Sequence, residues 1–284
     1  MKIYIMTDME GVTGVYDFDN YCSDNGIHYQ NSRKLLTLEV NAAIAGFIAG
    51  GATEIHVQIG HHSDSVDREL LDKRALLMAG HTNPIWPWGL DKSYDALAFV
   101  GQHAKAGSSY AHLAHTGNIH TTDQRLNGIS IGEYGALALC AMELGIPTIF
   151  ASGCRALARE AQELTPGVVT VYGKWGRVPD DGFSKTLDAQ GYDNYNLASV
   201  QMHPEVVREQ IQRGAEEAIR KLKNDPGSFR YPELSAPYYL VREHRANNGN
   251  QPFALIAERN TIAECFNFIY LAENPRVSLD KVKM

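Results

Sequence analysis

The chain opens on a continuous apolar run, Ile3-Tyr4-Ile5-Met6, that stops at Asp8. No polar position alternates with the apolar ones, so the pattern predicts a strand buried on both faces and opening into a loop at its C-terminal end. Between Ser32 and Ala49 the residues Leu36, Val40, Ala43, Ile44, Phe47 and Ile48 recur at spacings of three and four, and Gly50-Gly51 supplies a stop, which together predict a helix. The segment TEIHVQI (53–59) predicts a second strand. The alternation continues with a helical pattern over 67–78, a Pro/Trp-rich turn (NPIWPWG), and a strand over 96–100 ending at Gly101. A helix over 133–144 closed by Gly145, a strand over 146–151 and a helix over 155–164 follow.

Strands alternating with helices over the first 165 residues predict an α/β fold with a largely parallel sheet, three layers deep, with helices on both faces. Farther on, 168–172 reads as a strand, 204–223 as a long amphipathic helix, and Asn224-Asp225-Pro226-Gly227 as a firm break. The stretches 238–242, 253–257 and 265–271 are strand-like, which suggests a smaller C-terminal α+β lobe. Residues 1–185 are therefore expected to form the main α/β region and 186–284 the lobe. No Ser/Gly linker marks the boundary, so one integrated domain is the alternative.

Composition narrows the class. Of 284 residues, 44% are hydrophobic and 21% charged, enough to bury a sizeable core. A formal charge of -7 argues against nucleic acid, whose binders carry a basic face. Four cysteines, Cys22, Cys140, Cys154 and Cys265, include no CxxC pair and suit a reducing compartment. The start MKIYIMTDMEG lacks the layout of a signal peptide, and no run reaches the roughly 18 apolar residues of a membrane span. A cytoplasmic protein with neither nucleic-acid nor membrane partners is expected.

Eight of the eleven histidines lie between His56 and His120, where an even spread would put two or three. Such clustering signals metal binding or acid/base chemistry, or else a polar surface patch. Placement favours chemistry, because ligands of such a sheet bind outside the carboxyl ends of its strands. Asp8 and Glu10 follow the first strand, His61 and His62 the second, and His103 the strand ending at Gly101. Asp8 and Glu10, two apart on an extended segment, share a side, and a divalent cation is the usual way to neutralise such a pair. His115 stands in the loop AHLAHTGNIH with His112 and His120, and Glu133 begins a helix where it either complements the macrodipole or joins a ligand set.

The mixed nitrogen and oxygen set suits zinc. A carboxylate such as Asp8 can bridge two ions, and two metals about 4 Å apart would hold a hydroxide between them, which makes metal-assisted hydrolysis the expected reaction class. A rival enzyme reading rests on Gly128-Ile129-Ser130-Ile131-Gly132, a GxSxG stretch before a helix that would make Ser130 a nucleophile. Against it, TTDQRLN before it is a poor buried strand. A third reading is a non-enzymatic zinc-binding oligomeric scaffold. Trp86, Trp88 and Trp175 read as structural aromatics.

With these residues in view, the chain resembles the DppA-type D-aminopeptidases, a family of zinc peptidases. KIYIMTDMEGVTG, TEIHVQI with its following histidine, FVGQHAKA, AHLAHT and LNGISIGEYG carry the resemblance over roughly the first 155 residues. It implies that Asp8 bridges two zinc ions, that Glu10 and His61 complete one site and His103 and Glu133 the other, and that His115 is the essential active-site histidine. It also implies short peptide substrates with an N-terminal D-residue of the D-alanine type, and a homo-oligomer, a decamer of two pentameric rings. The chain departs from the family in Gln58-Ile59-Gly60-His61-His62-Ser63, where an acidic neighbour is missing, so that His62 is an alternative ligand. The C-terminal third carries no matching motif.

Overall fold

Successive residues of the first strand face opposite ways: Ile3 and Ile5 belong to one apolar core, Tyr4 and Met6 to another. A strand sandwiched between two helical layers requires this. The computed structural model describes residues 1–247, 251–270 and 276–282. In it β1 (Lys2–Thr7) is followed by α1 (Tyr29–Gly50), β2 (Glu54–Gln58), β3 (Leu76–Met78), β4 (Ala96–Gln102), β5 (Thr121–Leu126) and β6 (Ile129–Ser130). Next come α2 (Glu133–Leu144), β7 (Thr148–Cys154), α3 (Arg155–Leu164), β8 (Val169–Gly176), α4 (Ala189–Tyr195) and β9 (Ser199–Gln201). The described chain ends with α5 (Pro204–Asn224), β10 (Tyr238–His244), β11 (Phe253–Arg259), α6 (Ile262–Tyr270) and β12 (Val277–Ser278).

Seven strands form one sheet in the order β3-β2-β1-β4-β7-β8-β9, parallel except for the antiparallel edge strand β9. Val40 and Ile44 of α1 pack with Ile211 and Ala215 of α5 on one face; Leu137 of α2, Leu157 of α3 and Phe266 of α6 pack on the other. The α/β class with helices on both faces is thus observed. The two helices of the first face approach closely at Gly46, where a Cβ would meet the Gln212 carbonyl oxygen at 2.1 Å. Any larger residue would push α1 and α5 apart.

A second sheet is antiparallel, in the order β12-β11-β10-β5-β6. It takes β5 and β6 from before residue 185 and the other three strands from beyond it, while α5, also from beyond, lies along α1. Among the described residues no helix is long and apolar enough to cross a membrane. The four cysteines are buried and unpaired.

Three sequence expectations are corrected. Residues 67–78 form turns and β3 rather than a helix, because Asp67 and Asp72 accept the backbone N–H groups of Glu69 and Arg74, each at 3.0 Å, and close local turns that compete with helix. The strand expected at 265–271 is helix α6, whose start is a capping box: Thr261 Oγ1 accepts the Glu264 N–H and a Glu264 oxygen accepts the Thr261 N–H. Residues 271–275 lie outside the described residues. TTDQRL, a poor strand by apolarity, is the buried β5. Its charged and amide side chains are paired, Arg125 with Asp123 and Glu243, and Gln124 with Arg242 at 2.7 Å, so burial leaves those groups satisfied.

Candidate metal centre

The chain leaves β1 toward β2 and β3, then returns to pair β4 on the other side of β1. Such a reversal opens a crevice at the carboxyl ends of the strands. Asp8 and Glu10 follow β1, His61 follows β2, His103 follows β4, and all but His61 are deeply buried there. The loops after β1 and β4 are held together by the Asp8 N–H to Val100 O bond at 2.9 Å and the Gly11 N–H to Gly101 O bond at 2.7 Å. Gly101 is required at φ +78°, where a Cβ would also lie 2.1 Å from the Asp8 carbonyl oxygen. Glu133 enters from the first turn of α2 and His115 from the loop before β5.

The six residues singled out in the sequence converge. His61 Nδ1 lies 3.4 Å from Asp8 Oδ1 and 3.0 Å from Glu10 Oε2; His103 Nε2 lies 3.2 Å from Asp8 Oδ2 and 3.5 Å from Glu133 Oε1. His115 Nε2 is 3.6 Å from the same Glu133 oxygen, and the His103 and His115 rings stack with centroids 3.9 Å apart. Two overlapping sets, Asp8 with Glu10 and His103, and His103 with His115 and Glu133, each have ligand atoms within 4.8 Å of one another. His62 packs edge-on against His61 and Tyr29 instead.

The hydrogen bonds of the three imidazoles decide what they face. His61 Nε2 is 2.8 Å from Cys22 O, His103 Nδ1 is 2.9 Å from Ala104 O, and His115 Nδ1 is 3.0 Å from Leu113 O. A carbonyl oxygen only accepts, so each of those nitrogens is the N–H, and the other nitrogen of each ring points its lone pair at the carboxylates. Lone pairs facing carboxylates repel unless a cation, proton or metal, stands between. The ordinary metal-binding histidine is held in this way, with its far N–H on a carbonyl. Glu10 Oε2 and His103 Nε2 are moreover buried without a hydrogen bond of good geometry, although His61 lies near the former. The donor set therefore fits a borderline-soft divalent ion such as zinc.

Electrostatics agrees. Burial pushes the Asp8 carboxyl up, but His103 and His61 outweigh it and hold it well below the usual carboxylate range. Burial pushes Glu133 up as well, and His103 and His115 bring it down to about 2. Against burial, which lowers them, His103 is raised well above the ordinary imidazole value by Glu133 and Asp8, and His61 by Glu10 and Asp8. The pocket attracts positive charge. His112, by contrast, donates to Tyr16 O at 3.1 Å outside this centre, and burial, aided by Lys174, pushes it down to about 2. His120 sits beside Asn247.

Three further residues support the centre. Gln102 Nε2 donates to Asp8 Oδ2 at 2.7 Å, and the Gly117 N–H donates to Glu133 Oε1 at 2.7 Å. The buried Glu160 of α3 accepts the N–H of Lys105 at 2.8 Å and that of Gly132 at 3.1 Å, tying the His103 loop to the residue before Glu133. Gln102 and Gly117 adjoin motif residues and were discoverable by position; Glu160 sits in an ordinary amphipathic helix. The centre opens into a cavity of about 380 Å³ bordered by Phe18, Asp19 and Ser23.

Ser130 is placed elsewhere. It lies on β6, its hydroxyl donates to Asp123 at 2.7 Å, and it borders a different cavity of about 580 Å³ with Lys105 and Arg159. A hydroxyl that donates to an arginine-paired carboxylate, on a short antiparallel strand, is no nucleophile elbow.

Comparison with known proteins follows the same lines. The sequence model of a family described as D-aminopeptidase matches residues 1–179. A D-aminopeptidase of Bacillus subtilis (strain 168) is 31% identical over 172 residues, which is 60% of this chain and 62% of that relative. The chain thus aligns with somewhat less than two thirds of the relative's length. The solved structure of a Zn-dependent D-aminopeptidase, DppA from Bacillus subtilis, described as a self-compartmentalizing protease, superposes with a TM-score of 0.78 over 95% of both chains at 22% identity. That likeness extends the shared fold through the C-terminal third, beyond the residues matched in sequence.

Proposed function

The chain belongs to the D-aminopeptidase family, and from that premise we propose that it is a zinc-dependent aminopeptidase acting on short peptides whose N-terminal residue has the D configuration. The observation that carries this reading is the set of three imidazoles, each with its N–H on a backbone carbonyl and its other ring nitrogen aimed at carboxylates. Asp8, Glu10 and His61 would hold one ion and Asp8, His103 and Glu133 the second, with Asp8 shared. Zinc bound there supplies Lewis acidity toward the scissile carbonyl and a nucleophile from water near neutral pH. Three protein ligands per ion leave room for that chemistry, which a structural site closed by four would not.

The chain's own residues do the rest. The carboxylates draw in the substrate's ammonium group, and Asp19 at the cavity rim extends the same field. Attack on the peptide builds charge on oxygen and leaves an amine that needs a proton. His115, fixed by Leu113 O and braced edge-on by Phe18 at 5.4 Å, can present Nε2 for that transfer, worth about 10² to 10⁴ in rate.

Elemental analysis of the purified protein is expected to give close to two zinc ions per chain, with chelation abolishing hydrolysis of D-alanyl dipeptides and added zinc restoring it. Asp8→Ala should lose both ions, and Glu10→Ala and Glu133→Ala mainly one each. A metal-free, fully active protein overturns the reading. His115→Ala should retain zinc and lose most of kcat with little change in KM; loss of zinc would instead make it a ligand, which its grouping with His103 and Glu133 allows. Preference for L-alanyl peptides would keep the peptidase and remove the D assignment. The resemblance also supports a homo-oligomer, a decamer, and the four unpaired cysteines support a reducing, cytoplasmic location. Light scattering at the mass of one 31.4 kDa chain, or recovery outside the cytosol on fractionation, would refute these.

A further inference from the structure

A second cavity, of about 250 Å³, borders the same carboxylates. It shares Asp8, Glu133, Gly60 and Gly117 with the polar cavity, but its other walls are Met6, Leu137, Trp86 and Trp88, with Thr7 and Gln102. Leu137 stands one helical turn after Glu133, so α2 presents a carboxylate to the centre and an apolar side chain to the recess from one face. The Thr7 hydroxyl is engaged with Gln58 O at 2.9 Å and the Gln102 amide nitrogen with Asp8. Away from Asp8 and Glu133 the recess therefore presents mainly the apolar side chains of Met6, Leu137, Trp86 and Trp88.

The two indoles are fixed there. The Trp86 main chain is clamped by Asn267, which accepts its backbone N–H at 2.9 Å and donates to its carbonyl at 3.1 Å, and the Trp86 ring stacks on Phe266 at 4.5 Å. Trp88 has φ +59°, a left-handed conformation that is a true outlier for so bulky a residue. Its carbonyl accepts the Tyr4 hydroxyl at 2.6 Å and its N–H donates to Ile85 O at 2.6 Å. Strain held this firmly beside a reactive centre points to a purpose for the side chain.

We propose that this recess is the subsite for the side chain of the substrate's N-terminal residue, and that it selects apolar side chains larger than the methyl of alanine. The inference rests on the aminopeptidase reading and deepens it. A substrate ammonium drawn to the carboxylates leaves its side chain one bond from Cα, with the polar cavity needed for the peptide. A cavity of about 150 Å³ already accepts a benzene ring, so 250 Å³ has room for a leucine or phenylalanine side chain and is left mostly empty by alanine. Each methylene well placed in such a pocket is worth about 10-fold or more in kcat/KM.

The test uses the zinc-loaded enzyme and p-nitroanilides of alanine, leucine and phenylalanine in both enantiomers. The leucyl or phenylalanyl compound should exceed the alanyl one by at least about tenfold in whichever hand is hydrolysed. Trp88→Ala should bring that ratio toward one by lowering the leucyl and phenylalanyl values most, and Trp88→Phe should restore most of the ratio. An alanyl preference, or a ratio untouched by Trp88→Ala, overturns the proposal. If neither hand is hydrolysed the aminopeptidase reading has failed, and the subsite is judged separately by tryptophan fluorescence. The zinc-loaded protein should then bind 3-methylbutylamine at least about tenfold more tightly than ethylamine, with the gap narrowed in Trp88→Ala; equal binding of the two amines overturns it.

Discussion

A carboxylate that accepts two backbone N–H groups from different loops holds those loops in register, and Glu160 does this for the residues flanking His103 and Glu133. Lys105 N and Gly132 N are both donors, so glutamine at this position can satisfy only one of them and alanine neither. Glu160→Ala is therefore expected to weaken zinc binding by roughly 10- to 100-fold, as loss of supporting contacts around a metal generally does, with Glu160→Gln between it and wild type. Competition with a zinc-binding dye measures this, and unchanged affinity in both variants would deny Glu160 a positioning role. Asp8, Glu10, His61, His103, His115 and Glu133 were legible because strand ends in a parallel sheet converge, which turns residues far apart in sequence into neighbours. Glu160 was illegible: its task is done toward backbone, and backbone partners leave no mark on side-chain spacing.

At the scale of elements, apolar periodicity located α1, α2, α3 and α5 and the parallel strands other than β3, since those elements bury wide apolar faces. It failed at β5, where arginine, glutamine and aspartate are buried as pairs, and at α6, where the capping box at Thr261 and Glu264 was the available signal. Buried charge also sets how α1 responds to pH. Glu39 of α1 accepts the Thr13 N–H at 3.1 Å; burial pushes its carboxyl up to about 7 against the pull of that bond, Lys174 and Arg208. Lys174, buried on β8 and donating to Val15 O at 3.0 Å, is pushed down by burial to about 8. Between 4.5 and about 7 the folded chain keeps a proton on Glu39 that the unfolded chain has released, so this group's contribution to stability falls as pH rises through the window. Between about 8 and 10.5 the unfolded chain holds the Lys174 proton that the folded chain lacks, and stability recovers. Urea unfolding at pH 5 and pH 7.5 should show wild type losing up to roughly 3 kcal/mol more than Glu39→Gln across that interval. Parallel losses in the two proteins would contradict the assignment.

On the scale of the whole molecule, the antiparallel sheet and the α1–α5 layer both join residues from either side of position 185. β5 pairs with β10 on one edge and with the two-residue β6 on the other. Without β10 it would keep only the two-residue partner, and its half-buried Arg125 would lose Glu243. Without α5, α1 would lose the close packing it makes at Gly46 against Gln212 and Ala215 and at Gly50 against Ile219, and each large apolar side chain so uncovered would cost up to about 1.5 to 3 kcal/mol. We propose accordingly that residues 1–185 and 186–284 fold as one cooperative unit, although the metal centre draws its side chains from the first region alone. The full zinc-loaded chain should unfold in a single transition, with far-ultraviolet circular dichroism and tryptophan fluorescence coinciding. A fragment ending at residue 185 should aggregate or melt without cooperativity, even though it contains Asp8, Glu10, His61, His103, His115 and Glu133. If that fragment is instead soluble, binds zinc and unfolds cooperatively, the first region is a domain in its own right and the second sheet is an attachment to it.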